Sequence, residues 1–235
     1  MPAVPTLFNT DRKAIVQHLR AADPKLRELI DRVGHCDVRL MHGLTIYESL
    51  LRSIVYQQLA GAAAAAIFLR VQKLYVPNGN GTAEAAALTG GSIRIPRKTK
   101  ALPYPSPEQI AASSEELLRS AGLSRAKMLA MKDLAAKALD GTVPSMQRAR
   151  FMSDEELIER LTTIRGIGRW TVEMMLMFRL GRLDVLPVSD YGVRKGFQLI
   201  YRMRDLPKPD RMQKIAAKWA PYRSLGAWYM WRALE

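Results

Sequence analysis

Cysteine is nearly absent: Cys36 is the only one in 235 residues. An intrachain disulfide is therefore impossible, and no cysteine-rich metal or iron–sulfur centre can be built. Histidine is scarce too. His18, His35 and His42 lie too far apart to pair as zinc ligands on one helical face. No apolar run approaches the roughly 20 residues needed to span a bilayer. The opening stretch MPAVPTLFNTDRK has no apolar segment of signal-peptide length. The expectation is a soluble intracellular monomer with no membrane partner and no cofactor. Strand signals are missing as well, since no alternating apolar–polar run stands out.

What the chain has in excess is positive charge. Its 36 Lys and Arg against 22 Asp and Glu leave a net charge of +14. Such a surplus implies a polyanionic partner, with nucleic acid the first candidate. A basic protein that binds nothing is the plainer alternative. Hydrophobic residues make up 48% of the chain, enough for a substantial core and too many for a disordered one.

The apolar spacing is helical almost throughout, which predicts an all-α fold. Asp11 opens a helix running to about residue 19, and Asp23-Pro24 starts another to about 33, with proline at the first helical position. Thr45 caps a helix whose stripe of Leu50, Leu51, Ile54, Val55 and Leu59 predicts continuation through the alanine run to about 74. Residues 77–107 hold most of the turn formers and read as a loop-rich connection, with a short helix near 83–88. Arg94, Arg97, Lys98 and Lys100 make it basic, for phosphate contact or simply as a solvated loop. Further helices are expected near 107–111, 115–120, 124–139, 154–164, 168–180, 190–201, 209–219 and 224–233. The long connection suggests two helical lobes, about 46–165 and 1–45 plus 166–235, with a cleft between them. The alanines at 60–66 read as close helix packing.

One stretch carries more information than the rest. In Leu161-Thr162-Thr163-Ile164-Arg165-Gly166-Ile167-Gly168-Arg169-Trp170-Thr171 two helical patterns, spanning about 154–180, meet at a Gly-x-Gly turn. Glycines there bring bare amides close to a ligand, and the second helix opens on the turn, so an anion such as a DNA phosphate can bind. Arg165 and Arg169 flank it. A plain helical hairpin is the modest alternative. Downstream stands Asp190, after Pro187 and at the start of a helical pattern. It is either a helix cap or an acid with a task, and the two roles are compatible.

These residues resemble the helix–hairpin–helix (HhH-GPD) DNA glycosylase superfamily. Gly166-Ile167-Gly168-Arg169-Trp170-Thr171 followed by Leu186-Pro187-Val188-Ser189-Asp190-Tyr191 looks most like its AlkA-like, 3-methyladenine DNA glycosylase II branch. Ser53-Ile54-Val55-Tyr56-Gln57-Gln58-Leu59, Ala121-Gly122-Leu123-Ser124-Arg125-Ala126-Lys127 and Trp219-Ala220-Pro221-Tyr222-Arg223-Ser224 with Trp228 and Trp231 are similar to further family segments. The resemblance implies a two-lobed helical fold. The chain is expected to lack the N-terminal mixed α/β domain of larger relatives.

The resemblance makes Asp190 the catalytic carboxylate. Cleaving an N-glycosidic bond builds positive charge on deoxyribose, which a fixed carboxylate stabilises while it orients or deprotonates water. An alkylated purine is already cationic and leaves neutral, so no strong acid is needed. Trp170, Met174 and Trp231 are implied to line the base pocket, with Tyr56 and Tyr222 at its border; Trp219 and Trp228 read as core. The target base must be flipped out. Gln58, or its rival Leu59, is the implied wedge, and Gln57 a base-edge contact; Leu59 also reads as core. Ile164, Arg165, Gly166, Gly168, Arg169 and Thr171 would meet the backbone of double-stranded DNA. A monovalent cation at the Ile164–Ile167 carbonyls is a further implication. Bifunctional members place a Schiff-base lysine where Trp170 stands, so a monofunctional enzyme is expected. The alternatives are a non-catalytic DNA-binding module and a glycosylase for another lesion class.

Overall fold

The computed structural model describes residues 4–76 and 102–235. The helix expected at 83–88 and the basic residues Arg94, Arg97, Lys98 and Lys100 lie outside them. The described residues are helical, and a single bridge, between Thr6 and Arg182, is their only β contact. The all-α expectation is met.

Most helix starts follow the local chemistry. Asp11 caps α1 (Arg12–Ala22), and Asp23 caps α2 (Pro24–Val33), where Pro24 fills the first turn. Thr45 and Glu48 form a reciprocal capping box on α3 (Ile46–Tyr56). The helix expected to run unbroken to residue 74 stops there. α4 (Gly61–Lys73) begins only after a turn in which Gln58 adopts φ 54°. Gln57 donates from Nε2 to the Gly166 carbonyl at 2.9 Å, a tie that a continued helix would lose. The apolar stripe crosses the break, which is why spacing alone hides it. The alanine run is also not a packing seam: among Ala62–Ala66 only Ala64 is buried.

Then come α5 (Pro107–Ala112), α6 (Glu115–Ser120), α7 (Arg125–Leu139), α8 (Met146–Ala149), α9 (Asp154–Leu161), α10 (Arg169–Phe178), α11 (Tyr191–Ile200), α12 (Pro209–Ala216) and α13 (Arg223–Arg232). The described chain forms two compact units: Met1–Gly43, Gln147–Ile158 and Gly168–Glu235; and Leu44–Met146 with Glu159–Ile167. Residues 147–158, expected with the middle lobe, group with the chain ends. The cause is Arg182, which is fully buried, donates to the Ala149 and Met152 carbonyls at 2.8 Å and pairs with Asp154 at 3.2 Å.

In the second unit α3 and α5 pack on α7, burying Leu50, Ile54, Ile110, Met131 and Leu134. In the first unit α11 lies against α13 so closely that a Cβ on Gly196 would stand 2.2 Å from the Met230 carbonyl oxygen. Phe197 stacks on Trp219 at 5.0 Å between centroids. Cys36 is buried, and burial pushes its thiol up to about 11.

Asp23 anchors this unit. Its carboxylate is buried and accepts from the Lys25 and Leu26 amides, from Trp219 Nε1 at 2.9 Å and from the Tyr201 hydroxyl, with Lys218 Nζ at 3.3 Å. Burial alone would raise its pKa, but the hydrogen bonds from Tyr201, Trp219 and the Leu26 amide outweigh that and hold it below the usual carboxylate value. A depressed folded pKa gives stability that is complete above the unfolded value of about 4 and is lost as pH falls through the folded one. Every group facing Asp23 is a donor, so an amide nitrogen fits nowhere. Asp23→Asn should destabilise the fold by about 2–4 kcal/mol and flatten the acid limb of a stability–pH curve read by denaturant melts below about pH 4.

Candidate active site

Asp190 is the N-cap of α11: Oδ1 accepts from the Val193 amide at 2.7 Å. The cap role expected of this residue is therefore observed. The same oxygen accepts from Trp231 Nε1 at 2.8 Å, and Oδ2 accepts from Trp170 Nε1 at 2.8 Å. Three helices therefore converge on one half-buried carboxylate. α10 supplies one indole, α13 the other and α11 the amide.

The approach of Trp231 has a steric condition. A Cβ on Gly192 would lie 2.7 Å from Trp231 Cδ1 and 3.0 Å from its Nε1. Only glycine at 192 lets the indole reach Oδ1. Sequence reasoning passed over this residue, although Gly192 and Gly196 recur at i, i+4 on one helix, a spacing that marks a close-packed face.

The carboxylate opens into a cavity of about 760 Å³ within the first unit. Trp170, Met174 and Phe178, one turn apart along α10, form one wall, and Trp231 packs on Phe178 with centroids 5.8 Å apart. Trp170 is 45% exposed. Trp228 is buried in the core, as expected, and also borders the cavity, where Arg232 lies 5.3 Å over its ring. Trp219 is core, as expected. His35, Asp37 and Arg39, from the segment after α2, and Glu235 complete the rim. Their spacing carries no periodic signal, so the sequence did not reveal them, whereas Phe178 was legible as the next step of the Trp170–Met174 stripe.

Tyr222 does not line this cavity; its ring packs edge-on against His18 at 5.0 Å. Tyr56 belongs to the second unit, where Arg52 lies 4.1 Å over its ring and Phe68 packs at 6.2 Å. Gln58 and Leu59 are both exposed on the turn between α3 and α4, and Leu59, at 39%, is not core. Gln57, expected at a base edge, is engaged by Gly166.

Of the two turn glycines only Gly166 takes a positive φ; Gly168 stands at φ −94°. Gly166 has φ 76°, and a Cβ there would stand 3.3 Å from Ala130. Gly168 is the N-cap of α10, and no side chain caps that end. Ile164 and Ile167 are buried. Thr171 is buried too and presents no side chain outward. The Arg165 amide donates to the Asp133 carboxylate at 2.7 Å, so one of the turn's amides is already taken. The Arg165 side chain is exposed. Arg169, expected on a phosphate, is instead held by Glu155 through two bonds of 2.9 Å and by Glu173 at 3.1 Å. Of the carbonyls expected to hold a cation, those of Ile164 and Gly166 already accept from Ile167 and Gln57. Among the described residues no cluster of three His, Cys, Asp or Glu could bind a metal, and no helix is long and apolar enough to cross a membrane.

The chain is similar to known repair proteins over most of its length. It is 35% identical over 216 residues to DNA-3-methyladenine glycosylase 1 of Schizosaccharomyces pombe, covering 92% of this chain and 84% of that protein. The structure of the Schizosaccharomyces pombe 3-methyladenine DNA glycosylase in complex with abasic DNA superposes with a TM-score of 0.70 at 33% identity, covering 93% of this chain and 95% of the other. A DNA-3-methyladenine glycosidase from Bacillus halodurans gives 0.73 at 31% identity, with 93% and 88% covered. Residues 51–222, which carry the glycine turn, Trp170 and Asp190, match the family model of the HhH-GPD superfamily base excision DNA repair proteins. With likeness in sequence and in fold spanning so much of its length, the chain belongs to that superfamily.

Proposed function

We propose that this chain is a monofunctional DNA glycosylase of base excision repair that releases 3-methyladenine and related alkylated purines from double-stranded DNA. The observation that carries the reading is the Asp190 carboxylate, fixed by two indole N–H groups in the wall of an aromatic cavity. An everted alkylated purine brings its own positive charge into that cavity. Stacking on an indole is worth about 1–3 kcal/mol to such a base. As the N-glycosidic bond breaks, its electron pair goes to the purine, which leaves neutral. The positive charge passes to the sugar, where the carboxylate stabilises it. Water then adds to the sugar carbon and gives up a proton, leaving an abasic site.

Exposed Gln58 and Leu59 suit the role of filling the gap left by the flipped base. The Gly166–Gly168 turn suits a backbone phosphate, with the exposed Arg165 side chain as its cation.

Asp190→Asn should lower the single-turnover rate of base release from methylated duplex by at least about 10²-fold, while an abasic-analogue duplex still binds. Unchanged release would remove Asp190 from the mechanism. Gly192→Ala should also slow release, with the Trp231 indole displaced from the carboxylate; a rate equal to that of the parent protein would show that this contact is dispensable. With Trp170 in place of an amine, the product strand should stay intact until alkali is added, and borohydride should trap no covalent adduct. Cleavage without alkali would contradict the monofunctional reading.

A further inference from the structure

The phosphate role expected of Arg169 fails on its surroundings, and those surroundings suggest another. Arg169 is the first residue of α10, directly after a glycine cap that offers no side chain to the helix end. Its guanidinium takes both oxygens of Glu155 at the start of α9 and Oε1 of Glu173 one turn along α10. Glu173 is almost wholly buried, and its Oε2 has no hydrogen-bond partner among the described residues. Burial raises its pKa, and Arg169 works against that rise. A two-bond ion pair is directional in a way a point charge is not. The guanidinium also faces a different cavity, of about 350 Å³, whose walls include Glu155 and Glu173 but not Asp190. The base cavity is lined from the same helix by different residues, Trp170, Met174 and Phe178. Trp170 is the next residue in the chain, and its indole holds Asp190 Oδ2.

The geometry points to Arg169 as a positioning residue: the Glu155–Arg169–Glu173 clamp fixes the first turn of α10, so that Trp170 holds the Asp190 carboxylate toward the substrate. The inference rests on the proposed glycosylase reading. Misplacing a catalytic group by an ångström costs up to about 10²-fold in rate, so a loosened first turn should be visible in the chemical step.

The test uses Arg169→Ala, Arg169→Lys and Glu155→Gln in the full chain. Single-turnover release of 3-methyladenine is followed at saturating enzyme, alongside the affinity and salt dependence of binding to an abasic-analogue duplex. For Arg169→Ala the expected result is a rate constant reduced by about tenfold or more, with analogue affinity and salt slope unchanged. Arg169→Lys keeps the charge but not the two-pronged contact and should stay slow; Glu155→Gln should fall severalfold. A merely structural role would reduce the melting temperature and the fraction of molecules that bind the analogue, leaving the rate constant per active site intact. A phosphate contact would instead weaken binding, reduce the salt slope by about one, and be largely restored by lysine. Either of those patterns overturns the proposal. Should Arg169→Ala fail to fold, Glu155→Gln, altered at an exposed side chain, decides the matter through the same readouts. Failure of the parent protein to release 3-methyladenine would count against the glycosylase reading itself.

Discussion

A carboxylate held only by neutral donors is the constraint around which the first unit is arranged. Asp190 takes two indole N–H groups and one backbone amide, and none of them carries a formal charge. In a chain with 36 Lys and Arg this is a selective arrangement. An arginine in the place of either tryptophan would satisfy the same oxygens and cancel their field. Indoles orient the group and leave its charge to act on whatever cation enters the cavity. Three helix positions must agree for this to hold: the start of α11, the first turn of α10 and the last turns of α13. The missing Cβ at Gly192 is what lets the last of these close in.

Asp23 shows the same chemistry put to a different end. It too caps a helix and accepts from an indole and from backbone amides, with a tyrosine hydroxyl and Lys218 added. Solvent access separates the two. Asp23 is sealed among donors and ties α2 to Trp219 and Tyr201; nothing can reach it. Asp190 is half-buried, with an open cavity on its free side. Ligation alone therefore does not separate the two carboxylates; solvent access does, and only Asp190 has it, as its proposed role requires.

Features that depend on neighbours in sequence were legible. The glycines at 166 and 168, the cap at 190 and the stripe of Trp170 and Met174 are all local patterns, and the structure keeps each in its place. Features that depend on a distant partner were not. The turn after Tyr56 is stabilised by Gly166, more than a hundred residues away, and the apolar stripe runs straight across it. Arg169 reads as a free cation beside a phosphate-binding turn, because its partners at 155 and 173 belong to stretches whose charges look solvated. His35, Asp37 and Arg39 reach the cavity through the path of the chain after α2, with no periodicity to announce them. Tyr222 misleads in the opposite direction: an aromatic beside the C-terminal helix turns its ring to His18 instead.

Position 170 joins the choice of substrate to the choice of reaction. A lysine there would bring an ammonium to the helix turn that now presents an indole to Asp190. That charge would pair with the carboxylate, weaken the field meant for the sugar, and repel a base that is itself cationic. It would supply a nucleophile at the cost of the stacking surface. Tryptophan does the reverse: its N–H fixes the acid, and under the proposed function its exposed ring is there to receive a flat cation. Release of charged purines and inability to cleave the strand are, under the proposed function, two consequences of one side chain. The proposed Arg169 clamp then follows from the same logic, because a residue with both tasks must be held at a defined angle, and the glycine that opens its helix cannot hold it.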